Sequence, residues 1–127
     1  MSLSVVVVDD TLEFRAIVRF IMATASKTMT LVGEAADGEE ALALILSERP
    51  AVVITDILMP RMNGIQPLRR IKEERPQTKV IVMTSYTDES YRRLALMGGA
   101  DAFLNKSVLA RDLLSTIREI VAVPETC

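Results

Sequence analysis

The stretch Ser4-Val5-Val6-Val7-Val8-Asp9-Asp10 decides how the rest of the chain is read. Four consecutive valines cannot present one polar and one apolar face, so a strand made of them is covered on both sides, as in parallel sheets flanked by helices. The run Val80-Ile81-Val82-Met83 repeats the signal. Outward from these two, short apolar runs at 4–8, 29–36, 51–55, 79–84 and 102–105 alternate with helical patterns. Phe14, Ile17, Val18, Ile21 and Met22 mark one face of a helix, and Leu109, Leu113, Ile117, Ile120 and Val121 mark another. Less regular helical patterns fill 38–48, 64–74 and 89–97, and the joints carry turn pairs such as Asp37-Gly38, Asn63-Gly64 and Gly98-Gly99. Five βα units in 127 residues predict one doubly wound α/β domain over 1–127, its core at about 4–122. The expected sheet is parallel and five-stranded, in the flavodoxin-like order 2-1-3-4-5.

Composition narrows the function. Half the residues are hydrophobic, enough for a core without disulfides. The net charge of −2 gives no basic excess, so no nucleic-acid surface is expected on this segment. No apolar run is long enough to cross a bilayer, Met1-Ser2-Leu3-Ser4 leads straight into a strand pattern so that no signal peptide is expected, and Cys127 is the sole cysteine. A cytoplasmic location without membrane contact is therefore expected. Histidine is absent, which excludes a histidine base, a histidine metal site and a phosphohistidine relay within the chain.

In an open sheet of the predicted order, ligands bind beyond the carboxyl ends of the strands where strand order reverses, between the first and third strands. The first ends in Asp9-Asp10 and the third in Asp56. A single aspartate there reads as a solvated loop residue or a helix cap. Three together repel one another, and a hard cation held by oxygen ligands, commonly Mg²⁺, relieves the repulsion. The fourth and fifth strands add Thr84 and Lys106 at the same edge, so the five residues form a phosphate-and-metal site built around a carboxylate.

The chain resembles a response-regulator receiver domain of the CheY-like family over essentially its whole length. The resemblance is carried by Asp9-Asp10, by Asp56 within Thr55-Asp56-Ile57-Leu58-Met59-Pro60-Arg61-Met62-Asn63-Gly64, by Thr84-Ser85 and by Phe103-Leu104-Asn105-Lys106. The lysine followed by serine, Tyr86 and the 98–104 segment are similar to receivers of NarL/FixJ-like transcription regulators. The resemblance implies that Asp56 takes a phosphoryl group from a sensor histidine kinase, a phosphotransfer protein or a small phosphodonor, and that the chain switches conformation to control an output domain or target protein. Mg²⁺ would be held by Asp10 and Asp56, by Asp9 through water and by the Leu58 carbonyl. Lys106, Thr84 and the N–H groups of Ile57 and Ser85 would hold phosphoryl oxygens. Thr84 and Phe103 would form the switch. Leu58 and Tyr86 would flank the path of attacking water and slow self-dephosphorylation, so the chain is expected to catalyse its own phosphorylation and slow dephosphorylation rather than turn over external substrates. Ser107 stands where the family usually has proline, so the preceding peptide is either cis or trans and Ser107 is a candidate cap for the last helix.

The resemblance places kinase contacts over the first helix, where Leu12, Arg15 and Arg19 are candidates. It places output contacts or homodimer pairing on the fourth helix, fifth strand and fifth helix, where Arg92, Arg93, Asp101, Arg111 and Arg118 supply charge. Rival readings are weaker. A haloacid-dehalogenase-type phosphohydrolase needs a second carboxylate where Leu58 stands, a receiver-like module that is never phosphorylated would have lost part of the acidic set, and a flavin protein needs a Ser/Thr-rich loop after the first strand.

Overall fold

The computed structural model describes residues 2–56, 58–59, 62–63, 65–86 and 89–121, with side chains for residues 2–56, 68–86 and 89–121. Chain order runs β1 (Leu3–Val8), α1 (Leu12–Thr24), β2 (Met29–Ala35), α2 (Gly38–Glu48), β3 (Val52–Asp56), β4 (Leu58–Met59), β5 (Met62–Asn63), α3 (Ile65–Glu74), β6 (Lys79–Thr84), α4 (Glu89–Met97), β7 (Ala102–Asn105), a 3₁₀ turn (Lys106–Val108) and α5 (Leu109–Ile120). The main sheet has the order β2-β1-β3-β6-β7 with every pair parallel, which is the expected 2-1-3-4-5 arrangement. Among the described residues no helix is long and apolar enough to cross a membrane.

The valine run works as its pattern requires, because successive strand residues point to opposite faces. Val5 and Val7 enter the core on the side of α1 and α5, with Val18, Ile21, Leu113 and Ile117. Val6 and Val8 enter the other core, with Ala41 and Ile45 of α2, Leu68 and Ile71 of α3 and Ala95 of α4. Each fully buried Leu or Ile contributes about 1.5–3 kcal/mol relative to exposure. The position of Ile17 departs from its helical pattern: it is 41% exposed, while Phe14 is tucked against the core. A helix resting on the side of a sheet buries a narrower stripe than the full apolar arc, and Ile17 lies at the edge of that stripe.

Two local features were not visible as periodicity. The register between β1 and β2 slips at Val5/Val6, where Leu31 faces Val5 and Gly33 faces Val6. Gly33 sits under the Leu44 side chain of α2, where an added Cβ would come within 2.7 Å of a Leu44 methyl. The second feature is the short antiparallel pair β4–β5, with Leu58 opposite Asn63 and Met59 opposite Met62, between β3 and the helical pattern that begins at 64. Two-residue strands carry too few side chains to show a period.

Helix ends follow their capping chemistry. Asp37 caps α2 by accepting from the Glu40 N–H at 2.8 Å, and Glu40 reaches back to the Ala36 N–H at 3.3 Å. Arg49 closes α2 in the left-handed region, at φ 47°, immediately before Pro50.

Candidate functional site

The parallel register brings the carboxyl ends of β1, β3, β6 and β7 to one edge. Val8 pairs with Thr55, Asp56 with Met83 and Thr84 with Asn105, so the residues that follow each strand face a common crevice. There the carboxylate oxygens of Asp9, Asp10 and Asp56 lie within 4.8 Å of one another. Asp9 is fully buried, Asp56 nearly so, and Asp10 is exposed.

Lys106 reaches into this cluster. Its Nζ lies 2.6 Å from Asp56 Oδ2 and 2.6 Å from Asp9 Oδ2, with only 5% of its side chain exposed. The Asp56 contact is a well-formed hydrogen bond in which the ammonium donates. The contact to Asp9 is close in charge but poorly aligned, so Asp9 Oδ2 is a buried oxygen without a hydrogen-bond donor. Burial pushes the Lys106 ammonium down, but its close pairing with the Asp56 and Asp9 carboxylates outweighs this and holds the pKa above its ordinary value. The ammonium also stands 4.1 Å from the centre of the Phe14 ring, a cation–π contact with α1 that no sequence pattern announces.

The loop after β1 is held from two sides. Asp9 Oδ1 accepts from the Thr11 N–H at 2.7 Å, and the Asp9 carbonyl accepts from Arg15 Nη1 at 2.7 Å. Arg15 and Arg19 both pair with Glu34 on β2. Arg15 is thus corrected as an exposed docking residue: its side chain is 17% exposed and turned toward the site, because a buried carbonyl and a carboxylate both attract it. Leu12 is exposed as expected, and Arg19 is half-exposed while paired.

The remaining site residues fall as follows. Thr84 is buried, and its hydroxyl oxygen accepts from the Tyr86 N–H at 3.1 Å. Ser85 and Tyr86 are exposed, and the Tyr86 ring lies 5.1 Å from that of Tyr91. Phe103 is partly buried against the α2–α3–α4 core. Ile57 lies outside the described residues; the Leu58 backbone belongs to β4, but its side chain lies outside them. Among the described residues no peptide is cis, so the Lys106–Ser107 bond is trans. Ser107 does not cap α5. It lies inside the 3₁₀ turn, and its N–H donates to Asn105 Oδ1 at 2.9 Å, which makes Asn105 the cap of that turn.

One pairing-face residue is also corrected. Asp101 is committed within the fold, accepting from Lys72 Nζ at 2.9 Å and from the Val80 N–H at 2.8 Å. The start of β6 and the end of α3 both place donors there, so its charge is already used. Arg92 pairs with Glu89, and Arg111 with its neighbour Asp112.

Three clustered carboxylates, one of them with a buried oxygen that lacks a hydrogen-bond donor, suit a hard oxygen-liganded cation, and the lysine beside them suits an anion arriving at Asp56. Comparison with known proteins gives the family. The description of the response regulator receiver domain matches residues 5–118. The chain is 38% identical over 114 residues to the transcriptional regulatory protein YhcZ of Bacillus subtilis (strain 168), across 90% of this chain and 53% of that protein. It is 32% identical over 119 residues to the response regulator protein VraR of Staphylococcus aureus (strain COL), across 94% of this chain and 56% of VraR. The chain thus spans about half the length of these relatives. Among solved structures, the signal receiver domain of NarL from Mycobacterium tuberculosis superposes with a TM-score of 0.85 at 30% identity, covering 93% of this chain and 94% of that one. The response regulator domain of Thermotoga maritima CheB gives 0.86 at 32% identity, covering 97% and 98%. With the strand order, the crevice and these matches in agreement, the chain belongs to the response regulator receiver domain family of two-component signalling.

Proposed function

We propose that Asp56 is the phosphoacceptor of a two-component switch. The observation that supports this most is the Asp56 carboxylate, nearly buried at the crevice, with a lysine ammonium 2.6 Å from its oxygen and two further carboxylates beside it. Asp9, Asp10, Asp56 and the Leu58 carbonyl would hold Mg²⁺, which when bound supplies charge neutralisation for an incoming phosphoryl group.

The chain's own residues do the rest. Asp56 supplies a carboxylate oxygen that attacks phosphorus, and the leaving group departs on the opposite side; positioning and electrostatics account for most of the rate. The Lys106 ammonium rests on two carboxylates and moves from one anion to another, so it stabilises phosphoryl oxygens without bringing in a new charge from solvent. Thr84 already accepts from Tyr86, which leaves its hydroxyl hydrogen to donate to the phosphoryl group. The N–H groups of Ile57 and Ser85 are further donors in this reading. Movement of Thr84 then lets Phe103 repack, and a coupling of about 1–3 kcal/mol is enough to alter partner affinity severalfold or more. Leu58 and Tyr86 slow hydrolysis by crowding the water's approach.

A sensor histidine kinase or a phosphotransfer protein is the proposed donor, since the chain has no histidine of its own. The output is proposed to be a transcription-regulating domain, because longer relatives, about half of whose length matches this chain, carry that description. A cytoplasmic setting and a phosphorylation-dependent homodimer through α4, β7 and α5 complete the proposal. The experiment is incubation with acetyl phosphate and Mg²⁺, borohydride reduction of the acyl phosphate and peptide mapping. Reduction at Asp56 is expected; reduction at another carboxylate overturns the assignment.

A further inference from the structure

We propose that Asn105 is a positioning residue that aims Lys106 by tying the turn around it to the loop after β6; this rests on the reading of Lys106 as a phosphoryl-binding residue. Lys106 must place its ammonium between two carboxylates at the end of a stem with four rotatable bonds. The Phe14 ring fixes one side of that stem's end. The backbone has no proline at position 107 to stiffen it and runs through a trans peptide into a short 3₁₀ turn.

Asn105 supplies the missing constraint twice. Its Oδ1 accepts from the Ser107 N–H at 2.9 Å, closing the turn around Lys106. Its Nδ2 donates to the Tyr86 carbonyl at 3.1 Å, fastening that turn to the neighbouring loop. The orientation of the amide follows from its partners, since the reverse would set donor against donor and acceptor against acceptor. The Tyr86 N–H in turn donates to Thr84 Oγ1. Asn105 therefore joins the two side chains proposed to meet the phosphoryl group, Thr84 and Lys106, through the backbone of one residue, Tyr86. A side chain with one donor and one acceptor is required. Aspartate keeps the acceptor for Ser107 but has no donor for Tyr86, and alanine has neither.

The test uses the whole chain in its unphosphorylated form. Reductive methylation followed by peptide mass spectrometry gives a rate for each of the four lysines, Lys27, Lys72, Lys79 and Lys106. In Asn105→Asp, Lys106 is expected to react about threefold to tenfold faster than in the parent protein, the range expected from one lost hydrogen bond. Asn105→Ala should react at least as fast. Lys72, ion-paired at the opposite end of the sheet, should be unchanged and reports general loosening. Acetyl phosphate labelling of Asp56 should slow by a similar factor in both variants. Unchanged Lys106 reactivity in both variants overturns the proposal, as does a parallel rise at Lys72. Failure of the Asp56 assignment looks different: the parent protein would take no phosphoryl group while the Lys106 contrast persisted.

Discussion

Lys106→Met removes the ammonium but keeps an unbranched apolar stem over Phe14. Each Lys106–carboxylate attraction at 2.6 Å is worth roughly 6 kcal/mol at an effective dielectric near 20, before the cost of desolvation is returned. Desolvation cancels much of this, and removing one partner of a buried ion pair typically costs about 3–5 kcal/mol. Asp10 is exposed and Asp56 keeps some solvent contact, so the lower end applies, about 3 kcal/mol. That is a large share of the roughly 5–15 kcal/mol that stabilises a domain and corresponds to a fall in Tm of roughly 10 °C. The assay is urea unfolding in chelator and again in Mg²⁺. Because the variant's carboxylates have lost their cation, Mg²⁺ should stabilise it more than the parent and at least halve the gap. A variant as stable as the parent in chelator, or a gap indifferent to Mg²⁺, would refute the view that Lys106 balances the charge of this cluster.

Further predictions rest on parts of the fold away from the crevice. Asp37→Ala removes the α2 cap and should cost about 1 kcal/mol in urea unfolding, with no change in the denaturant slope. Arg49→Gly relieves a left-handed residue at the end of α2 and should add roughly 1 kcal/mol; a loss would mean that the Arg49 side chain contributes more than its backbone conformation costs. Hydrogen bonds from Arg19 hold the Glu34 carboxyl below its ordinary value of 4.5, against an opposing push from burial. The native state therefore binds that proton less readily than the unfolded chain, and stability should be fully present above pH 4.5 and decline as pH falls below it. Glu34→Gln should flatten this acid limb in thermal melts, and an unchanged limb would exclude Glu34 as its source.

The fold was readable where burial is two-sided. The runs Val5–Val8 and Val80–Met83 are continuous because both faces are covered, and that fact fixes a parallel sheet with helices on either side. The site was readable because it collects at strand ends, whose order follows from the βα alternation: Asp9, Asp10, Asp56 and Lys106 meet as that order requires. What escaped depends on tertiary neighbours. Asp101 looks like a surface charge in sequence, yet Lys72 and the Val80 N–H occupy it. Arg15 looks exposed on a helix, yet Asp9 offers it a carbonyl and Glu34 a carboxylate. Asn105 stands in sequence only as the neighbour of Lys106, and its role appears only when Tyr86 and Ser107 are seen on either side of it. The β4–β5 pair escaped for a different reason, because four paired residues are too few for a pattern.

The most direct measurement is the intact mass of the parent protein and of Asp56→Asn during incubation with acetyl phosphate, each with Mg²⁺ and with chelator. A single added phosphoryl group is expected in the parent protein with Mg²⁺ and none in the other three conditions. Equal incorporation in Asp56→Asn, or incorporation undiminished by chelator, would contradict it.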